Sequence, residues 1–174
     1  MMIVSHLQSD EYPSFYEGYI SQVSAEHTLS EELEISVHKL IKFVQNIPLE
    51  KLDYRYAHDK WTIKDILQHL IDSERIFAYR ALVIARNDKT ELASFDENKY
   101  AYEANANDRG IKDLLTELAV VRQATLTLFK SFTTEQLMQR GFVFGNMVSV
   151  RAFGFVIIGH QNHHMKIFAE RYLK

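Results

Sequence analysis

One stretch decides the fold: residues 62–86, which read TIKDILQHLIDSERIFAYRALVIAR. Apolar side chains recur there at three- and four-residue steps, and no Gly or Pro interrupts them. This spacing predicts a long amphipathic helix that buries one face. Thr62 is the predicted N-cap, and Asp65 lies near the positive end of the helix dipole. The predicted apolar stripe consists of Ile63, Ile66, Leu67, Leu70, Phe77, Ala81, Leu82 and Ala85.

Two further helices with the same apolar spacing are predicted on either side of this stretch. Residues 29–45 form the first helix of the chain, which begins after the capping pair Thr28 and Glu31 and ends before Pro48. Residues 111–132 form the third helix, with its leucines on the inner face. Both helices therefore need partners to cover their apolar sides.

A fourth helix begins near Ser149 and reaches the C-terminus. Gly154 and Gly159 lie inside it, and each costs about 1 kcal/mol of helix propensity relative to Ala. Such small residues allow a neighbouring helix to approach closely. Residues 142–144, Phe-Val-Phe between turn glycines, form a candidate extended segment.

Four long amphipathic segments without convincing strand alternation predict an all-α fold. We expect an up-and-down four-helix bundle with long crossover loops, formed by residues 1–174 as a single domain. The predicted connections are residues 48–60 and residues 87–107. The second is long for a compact domain, so it is expected to be functional or partly helical.

Composition and charge exclude several classes of function. The 174 residues contain no Cys and 8 His, and the formal net charge is −3. Without Cys there is no thiol nucleophile, disulfide or Cys-ligated metal. No basic block indicates a nucleic-acid partner, and no apolar run is long enough to span a membrane. The N-terminus lacks a signal-peptide pattern, so we expect a cytoplasmic protein.

Three histidines are the candidate metal ligands. His160 and His164 are four residues apart, which places them one above the other on the apolar face of the last helix. His69 belongs to the inner stripe of residues 62–86. Three imidazoles from two helices can therefore converge in the bundle interior. Three neutral His ligands with further positions open to water are typical of a catalytic metal site.

The alternative is that these histidines are ordinary core residues, each satisfied by a hydrogen bond. Imidazole suits zinc, nickel, iron and manganese, so the sequence predicts one divalent ion without choosing its identity. Other familiar sites are absent: no His-Glu-x-x-His protease motif, no Glu-x-x-His di-iron signature, no phosphate loop and no nucleophile elbow.

The sequence resembles the DinB-like superfamily, which includes bacillithiol S-transferases. The resemblance covers nearly the whole chain, and the motifs that carry it are KWTIKDILQHLIDSER at 60–75, YRAL at 79–82, IARND at 84–88, FDE at 95–97 with Tyr100, and GHQNHH at 159–164. It implies a helical bundle with an unusual crossover, often dimeric, and a metal triad of His69, His160 and His164. It also implies transfer of a low-molecular-weight thiol to an electrophile, or metal-dependent hydrolysis.

The predicted function is therefore a metal-dependent enzyme acting on a small molecule, by thiol S-transfer or by hydrolysis. A metal-bound water or the sulfur of a thiol would be deprotonated and attack an electrophile. The alternatives are a non-catalytic metal-binding or small-molecule-binding bundle and an oligomerisation protein with incidental histidines. We also expect a homodimer, as the resemblance implies.

Other residues have weaker assignments. Asp72 is a candidate acid/base or an acceptor that orients an imidazole, although a solvated carboxylate is equally expected. Phe95 and Tyr100 either anchor the long loop or cover the site. Trp61 is expected to pack at a bundle end or a dimer contact. Glu74 is expected to form a surface or inter-helix ion pair.

Overall fold

A computed structural model describes residues 2–174 of the chain. The helices are α1 (Glu17–Ile20), α2 (Leu29–Gln45), α3 (Ile63–Ala85), α4 (Glu97–Glu103), α5 (Ile111–Lys130), α6 (Thr134–Met138) and α7 (Val150–Ile167), and the strands are β1 (Arg140–Val143) and β2 (Asn146–Ser149). The π-helical segment Phe168–Tyr172 continues α7. The four long helices are those predicted from the apolar spacing, within two or three residues at most ends.

Side-chain caps fix where three of the long helices begin. Thr28 accepts a hydrogen bond from the backbone of Glu31, and Thr62 accepts one from Asp65, each within a complete capping box. Ser149 caps α7 through the backbone of Ala152. The caps predicted at Thr28 and Thr62 are therefore confirmed, and the fourth helix begins directly after Ser149, near which its start was predicted.

Helices α2 and α7 are parallel neighbours. The side chain of Leu29 packs at Gly154, Gln161 Nε2 donates to the carbonyl oxygen of Ser36 at 2.8 Å, and the rings of Phe43 and Phe168 stack at 6.4 Å. In all three contacts the residue numbers of the two partners differ by the same amount, and both numbers increase together. The helices therefore run side by side in the same direction.

Helix α3 runs antiparallel to α7 and parallel to α5. His69 contacts His160. Further towards the C-terminus of α3, the ring of Phe77 lies 5.9 Å from that of Phe153, which is further towards the N-terminus of α7. Asn107, just before α5, contacts the first turn of α3. The direction order along the chain is therefore up, down, down, up. Because the segment between α3 and α5 returns to the same end of the bundle, the predicted four-helix bundle with a long crossover is confirmed.

The crossover is partly helical and is tied to a small hairpin. Helix α4 lies within it. Leu92 exchanges two backbone hydrogen bonds with Phe142 and Phe144, at 3.2 and 2.8 Å. Strand β1 pairs with β2, but Phe144 lies beyond β1 in the turn, with a positive φ of 47°. The extended segment expected at 142–144 is therefore wrong at its last residue, because Phe144 and Gly145 form the turn of the hairpin.

The apolar interior is divided into two clusters by polar side chains halfway along the bundle. One cluster surrounds the N-terminal ends of α2 and α7, and the other surrounds the N-terminal ends of α3 and α5. Between them lies an ion-pair network, formed by Ser36, Glu74, Arg122 and Gln161. Within residues 2–174, no helix combines the length and the apolar character that crossing a membrane requires.

Gly159 allows the N-terminal segment to reach the middle of the bundle. A Cβ atom on Gly159 would lie 2.1 Å from the carbonyl oxygen of Tyr19 in α1, so the backbone of α1 is in direct contact with α7. A Cβ on Gly154 would meet only side-chain atoms of Leu29 and Phe129, the nearest at 2.8 Å. The predicted close approach at both glycines is confirmed, and at Gly159 the neighbour is backbone.

Candidate metal centre

The antiparallel packing of α3 against α7 brings the three predicted histidines together. His69 Nε2 lies 3.0 Å from His160 Nε2, and His164 Nε2 lies 3.1 Å from the same atom. The three candidate ligand atoms all lie within 4.8 Å of one another. Among the described residues, this is the group of His and acidic side chains whose geometry could hold a metal ion.

Burial keeps the three imidazoles neutral. It lowers the pKa of His69 to about 4 and that of His164 to about 3, from 6.5. The pKa of His160 is also held well below its ordinary value, by burial first and by the neighbouring histidines second. The neutral imidazole is the form that binds metal ions. All three side chains are therefore in the ligand form at neutral pH.

The donor set fits a divalent ion. Imidazole nitrogens bind such ions at about 2.1 Å, so two of them on one ion are separated by roughly 3 Å. His164 Nδ1 is buried without a hydrogen-bond partner. Ser73 Oγ lies 3.4 Å from His69 Nδ1, on the side of the ring opposite the cluster. The two Nε2–Nε2 distances of 3.0 and 3.1 Å fit imidazoles that share one ion, and few other polar partners compete for these rings.

A cavity of about 340 Å³ opens beside the three histidines. Its walls are aromatic for the most part, and residues of the hairpin, the crossover and the segment around α1 line its outer side, which is partly open. The ring of Trp61 lies 4.8 Å from that of His69, and the ring of Tyr19 lies 5.1 Å from that of His160. His163 also lies on the cavity wall, with its ring 5.3 Å from that of Tyr19.

Asp72 lies away from the histidines. Its carboxylate accepts a hydrogen bond from Gln68 Nε2 at 3.0 Å and lies 3.8 Å from Arg75, in a second groove that Tyr100 also lines. Burial raises the pKa of Asp72, opposed by the hydrogen bond from Gln68. The structure therefore does not bring Asp72 into the cavity beside the histidines, and its role stays a prediction.

Other sequence expectations have mixed outcomes. Trp61, expected at a bundle end or a dimer contact, directly precedes the N-cap of α3 and lines the cavity, and its place in a dimer contact stays a prediction. Phe95 also lines the cavity and contacts Tyr100 at 5.2 Å, so both expected roles of this pair have support. Glu74 forms the expected inter-helix pair, with Arg122.

Arg80 and Tyr19 are among the cavity residues that sequence reasoning missed. Arg80 follows His69, Ser73 and Phe77 along one face of α3 at steps of four, four and three. That helical row was a signal that could have found it. Tyr19 had no comparable signal, because its position depends on how the N-terminal segment folds onto α7.

The fold and the site together define a class: a four-helix bundle with a three-histidine candidate metal centre. A sequence profile of the DinB superfamily matches residues 32–168, and the chain belongs to this superfamily. The similarity stated from the sequence motifs is thereby confirmed.

Two known proteins are similar over most of their length. A protein of Oceanobacillus iheyensis, named provisionally as a metal-dependent hydrolase, is 25% identical over 142 residues, or 80% of each chain. The solved structure of YfiT from Bacillus subtilis matches with a TM-score of 0.71 at 18% identity and covers 82% of each chain. YfiT is described, also provisionally, as a metal-dependent hydrolase with an unusual four-helix bundle topology. This second likeness shows the shared fold.

Proposed function

We propose that this protein is a divalent-metal-dependent enzyme that acts on a small molecule. The observation that carries the proposal is the convergence of His69, His160 and His164 at the edge of a partly open cavity. A volume of about 340 Å³ is at the lower end of the range for small-molecule sites. The names of both relatives support a metal-dependent reaction.

The three histidines would hold one ion and leave further positions open towards the cavity. A divalent ion there supplies a lowered pKa for a bound water or thiol and polarises a substrate oxygen. The chain's own part is to keep the imidazoles free of protons by burial and to orient them. Ser73 orients the ring of His69, and Trp61 covers one of its faces. Zinc, nickel, iron and manganese all suit this donor set.

Hydrolysis and thiol S-transfer are the two reactions that we propose. The names of the relatives favour hydrolysis. The similarity to bacillithiol S-transferases favours transfer of a low-molecular-weight thiol. Because the chain has no Cys, the sulfur in a transfer reaction must come from a cosubstrate.

A second candidate is a bundle that binds metal or a small molecule without turnover. The position of Asp72 favours it, since the carboxylate proposed as acid/base lies in a different groove from the histidines. Glu97 is the carboxylate that does line the cavity. The two candidates differ in one measurable property, which is turnover by the metal-loaded protein.

The first test measures metal in untagged protein, because an affinity tag would bring its own histidines. We expect one ion per chain in the wild type and none in His160→Ala. The matched control is His38→Ala, which removes an exposed histidine of α2 and should keep the metal. Equal metal content in His160→Ala and the wild type would contradict the proposed site.

The second test measures turnover of model esters and of electrophiles with small thiols, in metal-loaded and chelated protein. Turnover that disappears with the metal and in His160→Ala supports an enzyme. Turnover that survives both treatments excludes the proposed mechanism. Stoichiometric metal without any turnover favours the binding bundle.

We also keep three proposals that rest on the sequence. Residues 1–174 form one domain, and the contact of Tyr19 with Gly159 supports this. The protein is a homodimer, as its similarity to the superfamily implies, and it is cytoplasmic. Light scattering of the purified protein tests the homodimer directly, and a monomer at all concentrations would contradict it.

A further inference from the structure

Three arginine side chains are buried among the described residues, and two of them face buried carboxylates. Arg122 donates to both carboxylate oxygens of Glu74, at 2.8 and 3.0 Å. Arg151 pairs with Glu11. Arg80 is buried to a similar degree, yet it takes part in none of the ion pairs found within residues 2–174. A buried charge without a counter-charge is costly, so this position needs an explanation.

Neutral groups hold the guanidinium of Arg80 in place. Its Nη2 donates to the carbonyl oxygen of Ala93 at 2.6 Å, which ties the crossover to α3. The rings of Phe77 and Phe95 lie 6.0 and 5.8 Å from its Cζ atom. Burial lowers the pKa of Arg80, and the hydroxyl of Tyr16 opposes this effect. These contacts fix the orientation of the side chain without neutralising it, and an arginine has five N–H donors to offer.

Arg80 lines the same cavity as the three histidines. Glu97 is the carboxylate among the lining residues, and its charge acts on Tyr19, whose pKa it helps burial to raise. Glu97 does not form an ion pair with Arg80, as far as residues 2–174 show. The cavity therefore has a cation further along the face of α3 that carries His69, with the aromatic ring of Phe77 between the two.

We propose that Arg80 binds an oxyanion group of the molecule that occupies this cavity, so that the substrate is a small organic anion. The inference rests on the proposed function, because it names the substrate class of the same site. The planar guanidinium fork matches the two oxygens of a carboxylate or a phosphate-type group. The aromatic walls suit an apolar body between the anionic group and the reacting centre.

Binding of simple probes to the full chain tests this without measuring turnover. Trp61 is the one tryptophan of the sequence and lies on the cavity wall, so its fluorescence reports occupancy. The probes are benzoate, phenylphosphonate and the neutral benzamide, each titrated into metal-loaded and into chelated protein. We expect at least one anion to bind about 10- to 100-fold more tightly than benzamide, the range for hydrogen bonds to a charged group. The preference should persist after chelation.

Equal affinity for benzamide and for both anions would overturn the inference, and so would an anion preference that disappears with the metal. The first result would mean that Arg80 does not select charge. The second would mean that the anions bind the ion instead. Preference for benzoate over phenylphosphonate, or the reverse, identifies which oxyanion the substrate carries.

Variants locate the effect at Arg80. We expect Arg80→Gln to lose the preference for anions, and Arg80→Lys to keep part of it, since a lysine retains the charge but not the fork. The control Arg86→Gln removes an exposed charge at the end of the same helix and should bind like the wild type. If Arg80→Gln does not fold, the lysine variant and the wild-type comparison decide. An unchanged preference in a folded Arg80→Gln would overturn the inference.

Metal analysis of the same samples separates this inference from the proposed function. Stoichiometric metal in Arg80→Gln, with the anion preference lost, supports both. Metal in the wild type without any anion preference overturns only the role of Arg80. Absence of metal from the wild type overturns the proposed function, while the preference in chelated protein still tests Arg80.

Discussion

Two polar clusters lie near the middle of the bundle, and they differ in how their polar atoms are satisfied. Both use α3 and α7, and the ion-pair network also includes side chains of α2 and α5. In the ion-pair network, Arg122 reaches Glu74, Ser36 and Gln161, each at normal hydrogen-bond distance. In the histidine cluster, Nε2 atoms face one another, and His164 Nδ1 has no partner. The network closes the interior, whereas the cluster opens onto a cavity. Complete hydrogen bonding marks the structural cluster, and incomplete hydrogen bonding marks the candidate site.

The largest expected effect is loss of stability when the network is broken. Arg122→Met leaves the Glu74 carboxylate buried without its partner, which should lower the free energy of unfolding by about 3–5 kcal/mol. Urea denaturation measures this change. The double variant Glu74→Leu with Arg122→Met removes both charges and should recover most of the loss. Metal content should remain one ion per chain in whatever fraction is folded. A cost below about 1 kcal/mol for the single variant would show that the network is not structural.

The second expected effect is a dependence of stability on pH that comes from the histidine cluster. Burial lowers the pKa of His69 to about 4 and that of His164 to about 3, whereas unfolded imidazoles titrate near 6.5. The unfolded chain therefore binds more protons below pH 6.5. The metal-free protein should lose stability as the pH falls from 6.5 towards 4, by up to about 1.4 kcal/mol per pH unit for each histidine.

Urea denaturation in the presence of a chelator, at several pH values, measures this slope. The control is the double variant His69→Gln with His164→Gln, which removes two of the titrating groups and should be less sensitive to pH in that range. The same slope in both proteins would mean that these histidines are not held neutral by burial.

A third effect distinguishes the two glycines of α7. Gly159→Ala places a methyl group against the backbone of Tyr19, beside the histidine cluster, and should cost about 1–3 kcal/mol. Gly154→Ala meets the ends of the Leu29 and Phe129 side chains, which can move, and should cost less. Thermal unfolding compares the two variants. Only Gly159→Ala should also weaken binding of probes in the cavity; a larger cost for Gly154→Ala would contradict the geometry.

The smallest expected effect concerns two serines, one in each cluster. Ser73→Ala removes the hydroxyl beside His69 Nδ1 and should weaken metal affinity about tenfold, the lower end for residues that orient a ligand. Ser36→Ala removes a hydroxyl of the network and should leave metal affinity unchanged. Competition with a chromogenic chelator measures both affinities. Equal affinities in the two variants would remove Ser73 from the site.

Local sequence signals were sufficient for the helices and for the histidines. The caps at Thr28 and Thr62 and the three- and four-residue apolar steps depend on neighbours within one turn. The step from His160 to His164 is equally local. Only the convergence with His69 required α3 and α7 to pack together, and the apolar face that each of these helices carries already indicated that packing.

The rest of the cavity depends on connections, which the sequence pattern does not determine. Trp61 precedes α3, and a residue before a helix has no periodicity to indicate which way it faces. Tyr19 reaches the site only because the N-terminal segment packs on Gly159. Asp72 was associated with His69 because it is three residues away, but its side chain lies in another groove. Spacing along a helix indicates on which face a residue lies, but it does not determine which residues its side chain contacts.

The parallel course of α3 and α5 also has an electrostatic consequence. Neighbouring helices that run the same way place like ends of their dipoles side by side, so two positive N-termini meet at one end of the bundle. The Asp65 carboxylate lies there and accepts hydrogen bonds from the Thr62 backbone at 2.9 Å and from Asn107 Nδ2 at 2.8 Å. Arg55, 3.1 Å away, prevents an excess of negative charge. Where the crossover ends, one buried carboxylate therefore offsets the positive N-terminal ends of both α3 and α5.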